Sequence, residues 1–306
     1  MLTRFLLSAA FLCSAAFLSP AAMAAGPYSA SRAVNAPTVQ AEVGYVDSDG
    51  VEQTRIVEQK VAADTYGNAA GNGYDLAVDG AFEGQTVAVL HFYSAGFDFG
   101  LPKAALEEKG FSVYRWIHDA PSHKELRRGL SKSNQLWLIS DATRHLDDEH
   151  IAIIKEYWES GHGVYIWGDN QPYYSDANAL AGALFGGEML GDLPGTVTVP
   201  LRPKGAKVGL TPNHDITTGL EYLYEGVTIA TIQPNDALEP LLLGSAGNLV
   251  TAIYDHDGKR AVLDGGFTRL YVNWDTAGTA RYVKNAAAWL VNYERFGDDV
   301  LASDRR

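Results

Sequence analysis

The chain has 306 residues, 46% of them hydrophobic, with 37 acids against 24 Lys and Arg and a formal net charge of -13. This composition supplies a sizeable core and excludes a disordered chain. So acidic a chain is unsuited to phosphate backbones or anionic lipid, which require clustered cations, so nucleic acid is not an expected partner.

The first 24 residues have the layout of a secretory signal peptide, with Arg4, an apolar run over residues 5–18 and the small-residue motif Ala22-Met23-Ala24. A bilayer span takes about 20 apolar residues, so this run is too short to anchor the protein. Cleavage before Ala25 is expected, with no membrane insertion afterwards and a periplasmic or secreted mature protein. The single cysteine, Cys13, lies inside this segment. The mature chain is therefore expected to lack disulfides, thiolate metal ligands and a cysteine nucleophile.

Residues 25–85 read as an N-terminal extension. Its start, 26–37, is rich in Pro, Ala, Ser and Asn and predicts a flexible terminus. Residues 38–61 alternate on either side of Asp47-Ser48-Asp49-Gly50, which predicts a β-hairpin. The Asp-x-Asp-Gly fragment lacks the remaining ligands of a calcium loop. Residues 62–84, rich in Gly, Ala, Asn and Asp, predict an irregular linker packed on the surface.

Residues 86–296 read as an α/β domain. The continuous apolar run 86–92 suits a strand covered on both faces. A helix over 102–109, a strand over 111–117, a helix over 122–130 and a strand over 135–139 follow. Asp147-Asp148-Glu149 then places acids at a helix start, and Ile151, Ile154 and Trp158 recur at helical spacing until Gly161. The next strand breaks at Gly168 and hands over to a helix across 176–184. Repeated strand-helix units of this length predict a parallel sheet with helices on both faces. The second half is richer in β structure, with strands over 196–200, 227–232 and 249–254. Asp255-His256-Asp257-Gly258 makes a hairpin turn into 260–263, and a final helix runs from about 276 to 293. Residues 297–306 form a charged tail.

Three stretches carry a resemblance. They are the strand and glycine break at 164–170, the loop Asn213-His214-Asp215-Ile216-Thr217-Thr218-Gly219-Leu220, and Asp264-Gly265-Gly266-Phe267-Thr268-Arg269-Leu270 before the last helix. In these, residues 86–293 resemble the class I glutamine-amidotransferase-like superfamily, in a non-amidotransferase branch similar to trehalose-utilisation-like domains. The resemblance implies a flavodoxin-like doubly wound, mostly parallel sheet, here with a β-rich second half and a small N-terminal β-hairpin extension. Working members of that superfamily carry a Cys at the strand-to-helix elbow and a His and Glu after a late strand. This chain has Gly168-Asp169-Asn170 and Thr268-Arg269 at the matching positions, so glutaminase chemistry by that route is excluded.

Ligands of open α/β sheets gather at the carboxyl ends of strands. That rule and the resemblance together select Ser94, Asp141, Arg144, Asp169, Asn170, Tyr173, His214 and Arg269 as candidate ligand-binding residues. A carboxylate beside an arginine stays ionised, so the set suits holding a polar ligand better than acid catalysis. Tyr173 and Tyr174 follow the break and are candidates for a stacking wall for a sugar or another flat ligand. His145 and His150 flank Asp147-Asp148 but do not share a helical face, so no metal site is expected there, and no cofactor is indicated. The leading expectation is an exported, catalytically degenerate domain that binds a small polar ligand or an envelope protein. One alternative is a hydrolase acting on a sugar or amide substrate through Asp169 with His214 or Ser94, a Ser94 nucleophile taking its base from His118 or His214. Another is a structural envelope protein using its hairpin for contacts.

Overall fold

The computed structural model describes residues 26–274 and 277–302; the expected signal peptide lies outside them. The extension contributes strands β1 (Thr38–Val46) and β2 (Glu52–Lys60), paired antiparallel as a separate hairpin. The Asp47 carboxylate accepts the backbone N–H groups of Asp49 and Val51, which makes it a turn residue.

The alternating units follow as β3 (Thr86–His91), α1 (Gly100–Glu108), β4 (Ser112–Ile117), α2 (His123–Leu130), β5 (Gln135–Ile139), α3 (Asp148–Glu159), β6 (Gly163–Trp167) and α4 (Ser175–Phe185). The β-rich half holds β7 (Met189–Pro194), β8 (Thr198–Pro200), β9 (Gly209–Leu210), β10 (Tyr222–Tyr224), β11 (Thr228–Ile232), β12 (Glu239–Leu243), β13 (Leu249–His256) and β14 (Lys259–Asp264). Helices α5 (Thr279–Leu290) and α6 (Tyr293–Ala302) close the chain, and α6 covers the start of the expected tail. No helix among the described residues is long and apolar enough to cross a membrane.

The main sheet has eight strands in the order β4-β3-β5-β6-β14-β13-β12-β9. The first five are parallel. Numbered along the chain, those five run 2-1-3-4-5, the flavodoxin-like order, with the switch point between β3 and β5. The fold class expected from the sequence is therefore the one observed. The last three strands join antiparallel, and β7 with β11 and β8 with β10 form two short ribbons.

Successive strand residues point to opposite faces, which divides the core in two. Val87, Val89, Trp137, Ile139, Tyr165 and Trp167 pack under α1 and α5, while Ala88, Leu90, Leu136, Leu138, Val164 and Ile166 pack under α2, α3 and α4. Each fully buried large side chain contributes on the order of 3 kcal/mol. Gly163 is required at the start of β6 because a Cβ there would collide with the Leu290 carbonyl of α5.

The N-terminal extension departs from its expected looseness. Tyr28 is buried, Ser29 N–H donates to the Leu76 carbonyl, and the Asn35 amide donates to the Thr217 carbonyl. Arg32 pairs with Asp215. The expected surface linker buries Asp75, Leu76, Ala77 and Phe82. Its polar residues read as loop, but several bond to the domain, as Asn68 Oδ1 does in accepting the N–H groups of Glu221 and Tyr222, so the segment packs as part of the core.

Candidate functional site

The carboxyl edge of the sheet is organised by the break after β6. Gly168 N–H donates to the Asp264 carbonyl at the end of β14, and its own carbonyl accepts from Phe267 N–H. A Cβ on Gly168 would run into the Met189 sulfur at 2.5 Å, so any larger residue here requires that side chain to move. The next five residues form a tight turn: Asp169 N–H donates to the Tyr173 carbonyl, and Tyr173 N–H to the Asn170 carbonyl.

That turn directs Asp169 inward. The residue is 6% exposed, and its Oδ1 has no hydrogen-bond partner among the described residues. Burial raises its carboxyl to about 8; the Asn170 N–H and the Arg269 charge oppose the shift, and Asp192 and Asp264 add to it. The group is thus largely protonated at neutral pH and offers an O–H donor. This corrects the expectation that a neighbouring arginine keeps it ionised. Arg269 is committed elsewhere: its guanidinium lies 2.6 Å from the Asp264 carboxylate, fully buried, and donates to the Glu225 carbonyl. Arg269 supports the strand end from beneath and does not face a ligand.

Aromatic rings surround this turn. Tyr93, just after β3, packs edge-on against Tyr173 at 5.4 Å and against Phe267 at 5.3 Å. Tyr271 packs on Phe267 at 5.6 Å and on Phe97 at 5.2 Å. Burial pushes the Tyr271 hydroxyl pKa upward, and the hydrogen bond to Tyr93 and the nearby Asp169 add to this. Tyr93, Tyr173 and Tyr271 are all partly exposed. Sequence reasoning singled out Tyr173 but missed Tyr271, whose signal was its position directly after the Asp264–Leu270 motif.

The remaining candidates separate. Asn170 lies in the turn, but its Oδ1 accepts from the Thr228 hydroxyl and so pins β11. Ser94 follows Tyr93, and its hydroxyl is 2.9 Å from His118 Nδ1, a serine-histidine pair at the ends of β3 and β4. Asp141 accepts from Ala142 N–H, and its carbonyl receives Ser175 N–H, which joins the β5 loop to the start of α4. Arg144 is turned toward α3, donating to the Leu146 carbonyl and pairing with Asp148. His214 sits at the opposite edge. Its Nδ1 accepts Ile216 N–H, its ring packs edge-on against Trp289, and burial lowers its pKa to about 4. Trp289 itself meets Arg260 near the amino end of β14, which fixes that placement.

Three other features are chemically different. A hollow of about 470 Å³ is lined by Thr86, Ser112, Glu125, Arg128 and Lys132, at the amino ends of β3 and β4, the edge where ligands of this fold do not gather. Asp75, Asp79 and Glu108 converge, but Lys109, Lys284 and Arg281 neutralise them. His123, Asp147 and His150 also converge, without such cations.

No family model and no curated protein matches the chain. Among solved structures it is similar to a putative ThuA-like protein from Bacteroides uniformis at 12% identity and a TM-score of 0.45, covering 68% of this chain and 91% of that one. A putative ThuA-like protein from Parabacteroides merdae aligns at 13% identity and a TM-score of 0.46, over 68% of this chain and 90% of the other. A putative GMP synthase protein from Thermoplasma acidophilum aligns at 9% identity and a TM-score of 0.44, over 70% of this chain and 98% of the other.

Proposed function

We propose that this chain is an exported, amidotransferase-like domain without glutaminase activity that binds a small polar ligand of saccharide type at the carboxyl ends of β3, β5 and β6. The observation that carries the reading is Asp169, a buried carboxyl with an unpartnered oxygen beneath a rim of tyrosines. A sugar presents hydroxyls to a donor-acceptor such as protonated Asp169 and apolar C–H faces to rings such as Tyr173 and Tyr93. The absence of any cysteine after Cys13 supports the loss of glutaminase chemistry. The N-terminal signal pattern supports export.

Titration calorimetry of the chain from Ala25 with a panel of mono- and disaccharides tests the proposal. At least one saccharide is expected to bind, with about tenfold or greater loss in Tyr173→Ala and Asp169→Asn, roughly 1.4 kcal/mol each. No heat with any of them, or equal affinity in both variants, argues against it.

The contact between Ser94 and His118 favours a second reading, a hydrolase in which His118 takes the Ser94 proton as it attacks an ester or amide. Covalent labelling of Ser94 by a fluorophosphonate, abolished in His118→Ala, would move the assignment from binding module to enzyme.

A further inference from the structure

We propose that His123, Asp147 and His150 bind one divalent transition-metal ion of the zinc class, joining the amino ends of α2 and α3. His123 is the first residue of α2, Asp147 caps α3, and His150 lies in the first turn of α3. His123 Nε2 is 3.1 and 3.0 Å from the two Asp147 carboxylate oxygens. His150 Nδ1 is 2.8 Å from Asp147 Oδ1. Donor atoms around an ion with bonds of about 2.0 to 2.1 Å sit at separations of this order.

The other nitrogen of each ring decides the chemistry. His150 Nε2 lies 2.7 Å from the Pro121 carbonyl oxygen, an acceptor with no proton to give. In the neutral ring the proton is therefore on Nε2 and the lone pair on Nδ1. Asp147 N–H points to that same Nδ1 at 3.3 Å, consistent with an acceptor there. His123 Nδ1 lies 3.2 Å from the Glu149 carboxylate, so Glu149 can hold a proton on Nδ1 while Nε2, turned to Asp147, gives its lone pair to an ion. Both lone pairs then converge on a carboxylate. In that protonation state three acceptors face one another; the backbone N–H of His150 reaches one Asp147 oxygen at 2.9 Å, and a cation between the rings and the carboxylate would satisfy the rest. A histidine whose far nitrogen is held by a carboxylate or a carbonyl is the arrangement that orients imidazole toward a metal.

The donor set of two nitrogens and one oxygen suits zinc and its neighbours, and falls well short of the six or more oxygens that calcium takes. The Asp147 side chain is 57% exposed, so water can complete the coordination. Acids in the first turn of α3, Asp148 and Glu149, offset the unfavourable helix dipole. The pairing was not visible along the chain because His150 is matched by a histidine from the preceding helix, not by His145. The same loop runs from Asp141 to Asp147, so an ion here would brace the β5 end of the candidate ligand site.

The test is zinc binding to the chelator-stripped chain from Ala25, followed by calorimetry and by the visible spectrum of the cobalt-loaded protein. One equivalent is expected, with a raised Tm. Asp147→Asn keeps an α3 cap while removing the charged ligand, and His123→Ala changes a partly exposed side chain, so both variants are expected to fold. Each should weaken zinc binding about tenfold or more. Absence of stoichiometric zinc binding, or affinity unchanged in both variants, overturns the proposal.

Discussion

Arg269 and Asp264 form an ion pair at 2.6 Å with both side chains withdrawn from solvent. The hydroxyl of Tyr282 donates to the same carboxylate oxygen at 2.6 Å, and that of Tyr165 at 3.1 Å. Gly266 N–H takes the other oxygen at 2.9 Å. The pair fixes the chain where β14 turns away, and it leaves Arg269 acting on Asp169 only through its charge, which does not offset burial. Arg269→Met leaves a buried carboxylate without its counter-charge and is expected to cost about 3 to 5 kcal/mol. Urea unfolding measures this, and a loss below about 1 kcal/mol would contradict the account.

Asp169 gives a pH dependence of definite sign. Its folded pKa of about 8 lies above the ordinary value of 3.8 because burial disfavours the charge. Between those limits the unfolded chain has released a proton that the folded chain keeps. Stability therefore falls as pH rises through this window, by about 1.4 kcal/mol per unit for this one group, and levels off above it. Asp169→Asn is neutral throughout. The difference in unfolding free energy between the two proteins, measured from pH 4 to 9, should shift toward the variant as pH rises, and a flat difference would refute the buried protonated carboxyl.

What could be read along the chain depended on whether an element's partner was nearby or implied by periodicity. Strands β3, β5 and β6 are covered on both faces, so their continuous apolar runs announced them. Strands β9 and β10 were missed because they are two and three residues long, and β7 and β12 because Pro194 and Pro240 break their pattern. The glycine break was legible and does place Asp169 at the strand end. Its protonation was not, since that follows from burial under groups distant in sequence. Arg269 reads as a strand-end cation, yet it turns inward to Asp264, whose carboxylate Tyr165 and Tyr282 also bind. Asn35 reads as a loop residue, but its Oδ1 accepts Asn213 N–H and its amide caps the Thr217 carbonyl, which lets a polar terminus be buried.

His214 predicts the opposite trend in acid. Burial lowers its pKa from 6.5 to about 4, with Asp215 and Asp255 opposing the shift. Below pH 6.5 the unfolded chain takes up a proton that the folded chain refuses until about 4, so stability is lost as pH falls through that interval. His214→Asn retains a side-chain acceptor for Ile216 N–H and carries no titratable ring. The wild type should lose about 1.4 kcal/mol per pH unit relative to this variant across the interval. Parallel unfolding curves at pH 6.5 and pH 4.5, with no change in the difference, would show that the ring is not held neutral.

Asp75 ties the extension to the domain. Its Oδ1 lies 2.7 Å from Arg281 Nε, and its Oδ2 lies 2.9 Å from Lys109 Nζ and 2.7 Å from Lys284 Nζ. Asp75 and Lys109 have no exposed side-chain surface. The adjacent Leu76 N–H donates to Asn285 in α5, so the charge hub and the backbone anchor act on the same helix. Asp75→Asn keeps the shape but leaves three cations sharing the carboxylates of Asp79 and Glu108, and is expected to cost about 3 kcal/mol or more. If the extension is one cooperative unit with the sheet, the loss appears in a single unfolding transition and residues 26–84 stay resistant to protease until that transition. If Asp75→Asn instead exposes 26–84 to cleavage while the remainder unfolds at the wild-type midpoint, the extension is an attachment with its own stability, and the continuous core through Leu76 and Phe82 does not couple them.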